Sequence, residues 1–367
     1  MEAKKITVQD LSKWLKAQKT VSILDVRTLS ERDEWYIPGS VHLNAYDELK
    51  SGNMEALSCL SIDKNVPVVT LCARGVLSFS VAEALSNHGF EAYSLEGGMK
   101  AWNYANDSIA IEFDDFKIIQ VRRVAKGCLS YLIGSKGKAM VIDASLDPEV
   151  YLSLANAEGW QIVYVADTHI HADYVSRTID LASASGAAHL ISSFAKVSYP
   201  FRPLNDKEVI ELGDFRIKVL HTPGHTWDST SFLIEDKALL SGDTLFTNGI
   251  GRPDLKSDQE QSIEKSKALY DSLQLIKSLD DAVFVLPAHS SRPIVIGEAI
   301  ITEKLGTLKS TLQALNLKRE QFVDSTLSKL PTAPPNYLTI AEINKSGQLG
   351  KYNKADLEAG ANRCAIS

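Results

Sequence analysis

Residues 161–176 read QIVYVADTHIHADYVS, and this stretch decides the architecture of the larger half of the chain. Its first six residues carry the apolar, β-branched pattern of a buried strand, and Thr168-His-Ile-His-Ala-Asp-Tyr174 follows at the strand's end. Three further sets have the same form. Pro223-Gly-His225 follows an apolar run at 215–220, Ser241-Gly-Asp243 follows 238–240, and Pro287-Ala-His289 follows 283–286. Loops at neighbouring strand ends can converge, so these sets can surround one metal ion. A lone histidine after a strand is ordinarily a satisfied core or surface residue. Four such placements in a chain of 8 histidines are poorly explained that way.

Spacing leaves the ligand set open. Zinc can take His169, His171 and His225 plus water, a hydrolytic site. Iron(II) can take His169, His225 and Asp243, two histidines and one carboxylate with open positions. Further strand patterns at 117–121, 129–134, 139–143 and 231–235, with helical patterns at 174–185 and 260–279, predict two packed sheets flanked by helices.

Upstream, strand and helix patterns alternate. Apolar runs at 21–26, 66–71 and 92–95 and a helical pattern at 77–88 predict a small parallel sheet covered on both faces. Cys72 stands at the end of the second run and just before the helix, in the crevice where such folds bind ligands. The loop Cys72-Ala-Arg-Gly-Val-Leu-Ser78 can turn its amides and the helix dipole toward the sulfur, surroundings that favour the reactive thiolate. Arg74 adds positive charge. On position alone Cys72 is equally well a small buried hydrophobe. The polar stretch 103–108 (NYANDS) reads as a linker, and 329–336 (KLPTAPPN) cannot be helical.

The chain's 367 residues suggest two or three domains. A hydrophobic content of 44% excludes a disordered chain, and a net charge of −7 argues against nucleic-acid or anionic-lipid partners. No run approaches the roughly 20 apolar residues of a membrane span, and the N-terminus lacks a secretion signal's apolar core. Cys59, Cys72, Cys128 and Cys364 form no CxxC pair, which points to a reducing, cytoplasmic setting. Cys364-Ala-Ile-Ser367 fits a prenylation pattern, but no polybasic stretch precedes it.

Residues 1–105 resemble a single rhodanese domain. The resemblance rests on Asp25-Val-Arg27, Glu34, Tyr36-Ile-Pro-Gly-Ser-Val-His-Leu43, the Cys72 loop and Glu96-Gly-Gly-Met-Lys-Ala-Trp102. It implies that Cys72 carries a persulfide while sulfane sulfur passes from donor to acceptor, with Arg74, Gly75 and Ser78 forming the donor loop. Many active members have arginine where this chain has Leu77. Residues 113–300 resemble the metallo-β-lactamase superfamily, whose pattern is HxHxDH followed by His, Asp and His. Tyr174 replaces the sixth-position histidine, which weakens a second metal site. His-Ala-Asp-Tyr-Val-Ser (171–176), Gly-His-Thr-Trp-Asp-Ser-Thr (224–230), Gly-Arg-Pro-Asp-Leu (251–255) and the closing Leu357–Cys364 segment resemble the persulfide dioxygenase branch.

That branch implies one Fe(II) per chain on His169, His225 and Asp243, with His171, Asp173 and His289 orienting ligands and water. Arg252 is the candidate group for an anionic thiol substrate. The expectation is an α/β chain of two domains. A rhodanese domain at 1–105 precedes an αββα metallo-β-lactamase sandwich at 113–325, with a tail at 326–367 packed on the second domain. The expected reaction is oxidation of a low-molecular-weight thiol persulfide by O2 to sulfite and thiol, coupled to Cys72 sulfur transfer with thiosulfate or sulfite. Expected partners are these small molecules and, in an oligomer, a second copy of the chain. Two alternatives are a zinc-dependent hydroxyacylglutathione-type thioester hydrolase and a non-catalytic sulfur carrier or sensor.

Overall fold

The computed structural model describes residues 3–360 and 362–366; Ser367, which ends the prenylation-like tetrapeptide, lies outside them. The first sheet has five parallel strands in the order Lys4–Ile6, Ala92–Leu95, Val68–Leu71, Ser22–Asp25, Val41–His42. The two-residue strand period sorts their side chains onto two covered faces. Ile23, Val69 and Leu71 pack with Leu11 and Trp102, while Leu24 and Val68 pack with Val81, Ala82 and Leu85 of helix Leu77–Asn87. Burial on both faces explains the unbroken apolar runs.

The rest of the chain forms an αββα sandwich. A seven-stranded sheet runs Arg202–Leu204, Ala188–Ser192, Gln161–Ala166, Lys138–Ile142, Cys128–Ser135, Lys117–Arg123, Asn106–Glu112. A six-stranded sheet runs Val209–Leu212, Phe215–His221, Thr230–Ile234, Ala238–Gly242, Phe284–Pro287, Glu303–Lys304. Ile118, Ile133 and Met140 meet Ile217, Phe232 and Leu240 between the sheets. Their neighbours turn outward: Ile119, Leu132 and Val141 under helices Pro148–Ala157 and Thr178–Ser185, Leu233 and Leu239 under helix Gln259–Lys277. No helix among the described residues is long and apolar enough to cross a membrane.

Two sequence expectations are corrected. The polar stretch 103–108 is not a linker, because Asn106–Glu112 pairs antiparallel along its length with Lys117–Arg123 as an edge strand. Backbone pairing stabilises such an edge whatever its side chains, and Asp107 is buried there against Arg122. The helix expected from 174 starts at Thr178 instead, since Tyr174–Arg177 is held as a loop by bonds from distant residues.

The two halves are docked. Trp35, Ile37, Trp102 and Ala105 belong to the same continuous apolar core as Val124, Ala125 and Ile118, and Trp35 Nε1 donates to the Val124 carbonyl at 3.4 Å. The C-terminal tail touches both. Asp356 meets Lys100 at 2.5 Å, Asn362 donates to the carbonyls of Lys126 and Ser290, and Ala365–Ile366 pairs with Ile250–Gly251. At its centre Glu358 is fully buried and receives Arg123 Nη2 at 2.8 Å, Arg177 Nη1 at 3.0 Å and the Val175 amide at 2.9 Å. Burial pushes this carboxyl up, but the two guanidinium groups outweigh it and hold it below the usual range. Glu358→Ala is expected to destabilise the protein by about 3–5 kcal/mol, because two buried arginines lose their counter-charge. A chemical-denaturation midpoint unchanged from the parent would refute this role.

Candidate active site

The strand ends do converge. Thr168 and His169 follow Gln161–Ala166, His225 follows Phe215–His221, Asp243 follows Ala238–Gly242, and His289 follows Phe284–Pro287. The three histidines and Asp243 are all buried. His169, His225 and Asp243 bring one ligand atom each within 4.8 Å of one another. His169 Nε2 and His225 Nε2 lie 3.7 and 3.5 Å from Asp243 Oδ2. His169 Nε2 and Asp243 Oδ2 are buried with no hydrogen-bond partner. Buried polar atoms are rarely left so, and three lone pairs aimed at one point fit a metal ion.

Their opposite atoms are anchored. Thr168 Oγ1 donates to Asp143 Oδ2 at 2.9 Å and accepts from His169 Nδ1 at 2.9 Å. His225 Nδ1 donates to the Arg252 carbonyl at 2.7 Å, and His289 Nδ1 donates to Asp243 Oδ1 at 2.7 Å. These bonds put the ring protons on Nδ1 and leave the facing Nε2 lone pairs of His169 and His225 unprotonated. Burial lowers the proton affinity of both histidines. Burial raises that of Asp243, but His289 and the other imidazoles outweigh it, so the carboxylate stays ionised. Neutral imidazoles and a carboxylate are the protonation states metal binding requires.

The His171 ring packs beside that of His169, with centroids 4.2 Å apart, but its Nε2 turns away from the triad. Its Nε2 is 3.0 Å from Asp143 Oδ1 and 2.9 Å from the Tyr174 hydroxyl, and it groups with Asp143 and Asp167 rather than with the triad. Its Nδ1 is buried without a partner. Asp173 Oδ2 lies 2.8 Å from His289 Nε2, so the His289 ring stands between two carboxylates. Burial opposes charge on that ring, but Asp243 and Asp173 together push its pKa well above the ordinary histidine value. Tyr174 stacks on His171 with ring centroids 4.4 Å apart. Trp227 is 49% exposed, so it does not seal the site.

Arg252 is corrected from substrate-binding to structural. It is buried, and its guanidinium donors are fully engaged: Asp254 at 2.8 Å twice, and the carbonyls of Pro331, Thr332 and Arg363. A guanidinium has five N–H donors, so none remains for a ligand. Its contribution to the site is its own carbonyl, which holds His225. Gly251 beside it must be glycine, since a Cβ there would run into the Asp243 carbonyl oxygen.

Sequence reading missed four residues. Asp143 stands at the end of strand Lys138–Ile142, the same strand-end signal carried by the histidines. Cys128 Sγ lies 3.7 Å from Asp173 Oδ2, and the Cys364 thiol groups with Asp243 and His289. Both thiols are buried, which also removes Cys364 from reach of a prenyl group. Asn344 donates to the carbonyls of His171 and Tyr174 at 2.8 Å. The last three approach from far along the chain and leave no local pattern.

In the first domain, Cys72 Sγ accepts from the amides of Gly75 at 3.2 Å and Ser78 at 3.4 Å. Ser78 is locked by its hydroxyl, 3.0 Å from that of Ser94, and Leu77 starts the helix. Gly75 has φ +82°, and a Cβ there would meet the Gly97 amide at 2.9 Å, so the loop curls only with glycine. Arg74 has no hydrogen-bond or ion-pair partner among the described residues.

Residues 7–105 match the rhodanese-like domain and residues 123–289 the metallo-beta-lactamase superfamily. A metallo-beta-lactamase structure from Staphylococcus aureus subsp. aureus COL is 32% identical, covering 65% of this chain and 75% of that one at a TM-score of 0.59. The ETHE1 structure from Myxococcus xanthus is 25% identical, covering 63% and 98% at a TM-score of 0.56. Hydroxyacylglutathione hydrolases are also similar. That of Acidiphilium cryptum is 29% identical over 49% of this chain and 71% of its own length. That of Methylococcus capsulatus is 33% identical over 38% and 57%, so the chain spans little more than half of it.

Proposed function

The chain belongs to the metallo-beta-lactamase superfamily and carries a rhodanese-like domain ahead of that fold; on that premise we propose that it is a persulfide dioxygenase joined to a sulfurtransferase. The observation that carries this reading is that His169, His225 and Asp243 bring three ligand atoms together while His171 Nε2 is engaged by Asp143 and the Tyr174 hydroxyl. Two imidazoles and one carboxylate are the donor set suited to iron(II) with open positions. When bound there, iron supplies the redox chemistry with O2 that zinc lacks. One persulfide, one O2 and one water give thiol, sulfite and two protons.

The chain's own residues prepare that site. His169 and His225 present lone pairs because Thr168 and the Arg252 carbonyl accept hydrogen bonds from their Nδ1 protons. His289 holds one oxygen of Asp243 and leaves the other free. Tyr174 occupies the place of a sixth-position histidine and turns its hydroxyl to His171. Cys72, cradled by the Gly75 and Ser78 amides, takes sulfane sulfur from thiosulfate, releases sulfite, and passes the sulfur to a thiol. Asp243 and the three imidazoles are buried, so the reactants are small thiol derivatives rather than folded proteins.

One observation favours a second reading. The partnerless Nδ1 of His171 is a donor that zinc could recruit, and the similar hydroxyacylglutathione hydrolases are hydrolases by name. Metal analysis decides between them. Protein purified aerobically with iron available is expected to hold about one iron per chain and to consume O2 with a persulfide. Two zincs per chain with thioester turnover would overturn the iron reading.

A further inference from the structure

Cys128 takes no part in the function proposed above. It opens strand Cys128–Ser135 and bridges to the backbone of His289. Its Sγ, the Asp173 carboxylate and the His289 ring each bring one ligand atom within 4.8 Å of the others, and all three residues are buried. Asp173 Oδ1 and His289 Nε2 have no hydrogen-bond partner. Buried polar atoms are rarely left so, and here two of them stand beside one thiol.

The spacing suits a small cation. Metal–ligand bonds of 2.0–2.3 Å in a tetrahedral site put neighbouring ligand atoms roughly 3.3–3.8 Å apart, and Cys128 Sγ lies 3.7 Å from Asp173 Oδ2. His289 Nε2 comes closer, 2.8 Å from the same oxygen, yet makes no hydrogen bond to it. The donor set is one thiol, one imidazole and one carboxylate. A thiolate selects thiophilic ions such as zinc over hard cations.

This set is not the one the superfamily pattern supplies. That pattern calls for histidine at position 174, where Tyr174 instead turns its hydroxyl to His171 at 2.9 Å. Its second metal also draws on Asp243, whose Oδ1 here accepts from His289 Nδ1 at 2.7 Å. Cys128 comes from a different strand, 45 positions before Asp173. Burial and the Asp173 charge push its thiol up, so it is no ready nucleophile. A bound metal takes a coordinating thiol as the thiolate and releases its proton.

We propose that Cys128, Asp173 and His289 hold a second metal ion, a thiophilic divalent cation of the zinc type, separate from the ion on His169, His225 and Asp243. Three protein ligands leave the fourth position to water. The two ions share no ligand. His289 meets the second ion through Nε2, while its Nδ1 proton joins Asp243 by a hydrogen bond. The second ion therefore fixes the ring that orients a ligand of the first. The site goes beyond the function proposed above and stands whichever metal the triad takes.

Cobalt(II) is the probe, because its bond to a thiolate gives a charge-transfer band. In the full-length protein loaded anaerobically with one iron(II) per chain, cobalt(II) is expected to bind to about one further equivalent and to show that band. Cys128→Ser, close in size, is expected to lose the band and to weaken cobalt binding about a hundredfold, since losing even a partner behind a ligand costs roughly 10–100-fold. Cys59→Ser and Cys72→Ser keep the band. If Cys128→Ser does not fold, Asp173→Asn is read in its place and is expected to weaken cobalt binding about tenfold or more. A parent without the band overturns the site. So does a band that survives in Cys128→Ser or is lost only in Cys364→Ser, or an Asp173→Asn variant with parental affinity. The readout needs no turnover, so a protein that fails as a dioxygenase still tests the site.

Discussion

His225→Ala is expected to abolish oxygen uptake with a preformed persulfide while sulfur transfer from thiosulfate stays within about twofold of the parent. His225 supplies one of three converging atoms, and its removal leaves one imidazole and one carboxylate facing buried space. Losing a partner behind a ligand typically costs roughly 10–100-fold, and losing the ligand itself costs more. Bound metal should fall in parallel. The transfer activity is spared for a structural reason. The domains share an apolar core through Trp35, Trp102 and Val124, but His225 is not part of it. It stands on a loop beyond strand Phe215–His221, on the second sheet of the sandwich. If transfer collapses in a variant whose circular dichroism is native, the two activities share a site and the division is wrong.

Cys72→Ser is expected to show the opposite pattern. Serine keeps the size and accepts the same amides from Gly75 and Ser78, but its hydroxyl is scarcely ionised near neutral pH and does not carry sulfane sulfur. With preformed persulfide, oxygen uptake should match the parent, because no residue of the triad is touched. With thiosulfate plus thiol as the only sulfur source, uptake should vanish, because nothing loads the thiol. Loss of uptake with preformed persulfide as well would make Cys72 an obligatory relay to the metal domain. A parent that shows no uptake from thiosulfate would mean that sulfur flows outward, from sulfite to thiosulfate.

Sequence alone determined both folds and the positions where chemistry sits. Strand and helix patterns are local, so 161–166, 215–220 and 66–71 are legible without their neighbours. A polar group directly after a buried strand lies on the sheet's rim whatever surrounds it. Thus Cys72, His169, His225, Asp243 and His289 are legible as site residues. The same reasoning reaches Asp143, although an aspartate after a strand is less conspicuous than a histidine.

Side-chain direction belonged to the tertiary structure. His169 and His171 are two residues apart, yet one faces Asp243 and the other faces Asp143, 28 positions away. Arg252 reads as available for a substrate until the fold brings in Pro331 and Arg363, 79 and 111 positions on, to take its remaining donors. The polar edge strand Asn106–Glu112 formed because a neighbour offered its backbone. The tail binds both domains through Glu358, 235 positions from Arg123. The physical reason is the same each time. A pattern of apolar residues constrains the neighbouring backbone, whereas the partner of a buried polar group is whatever the completed fold brings within hydrogen-bond reach.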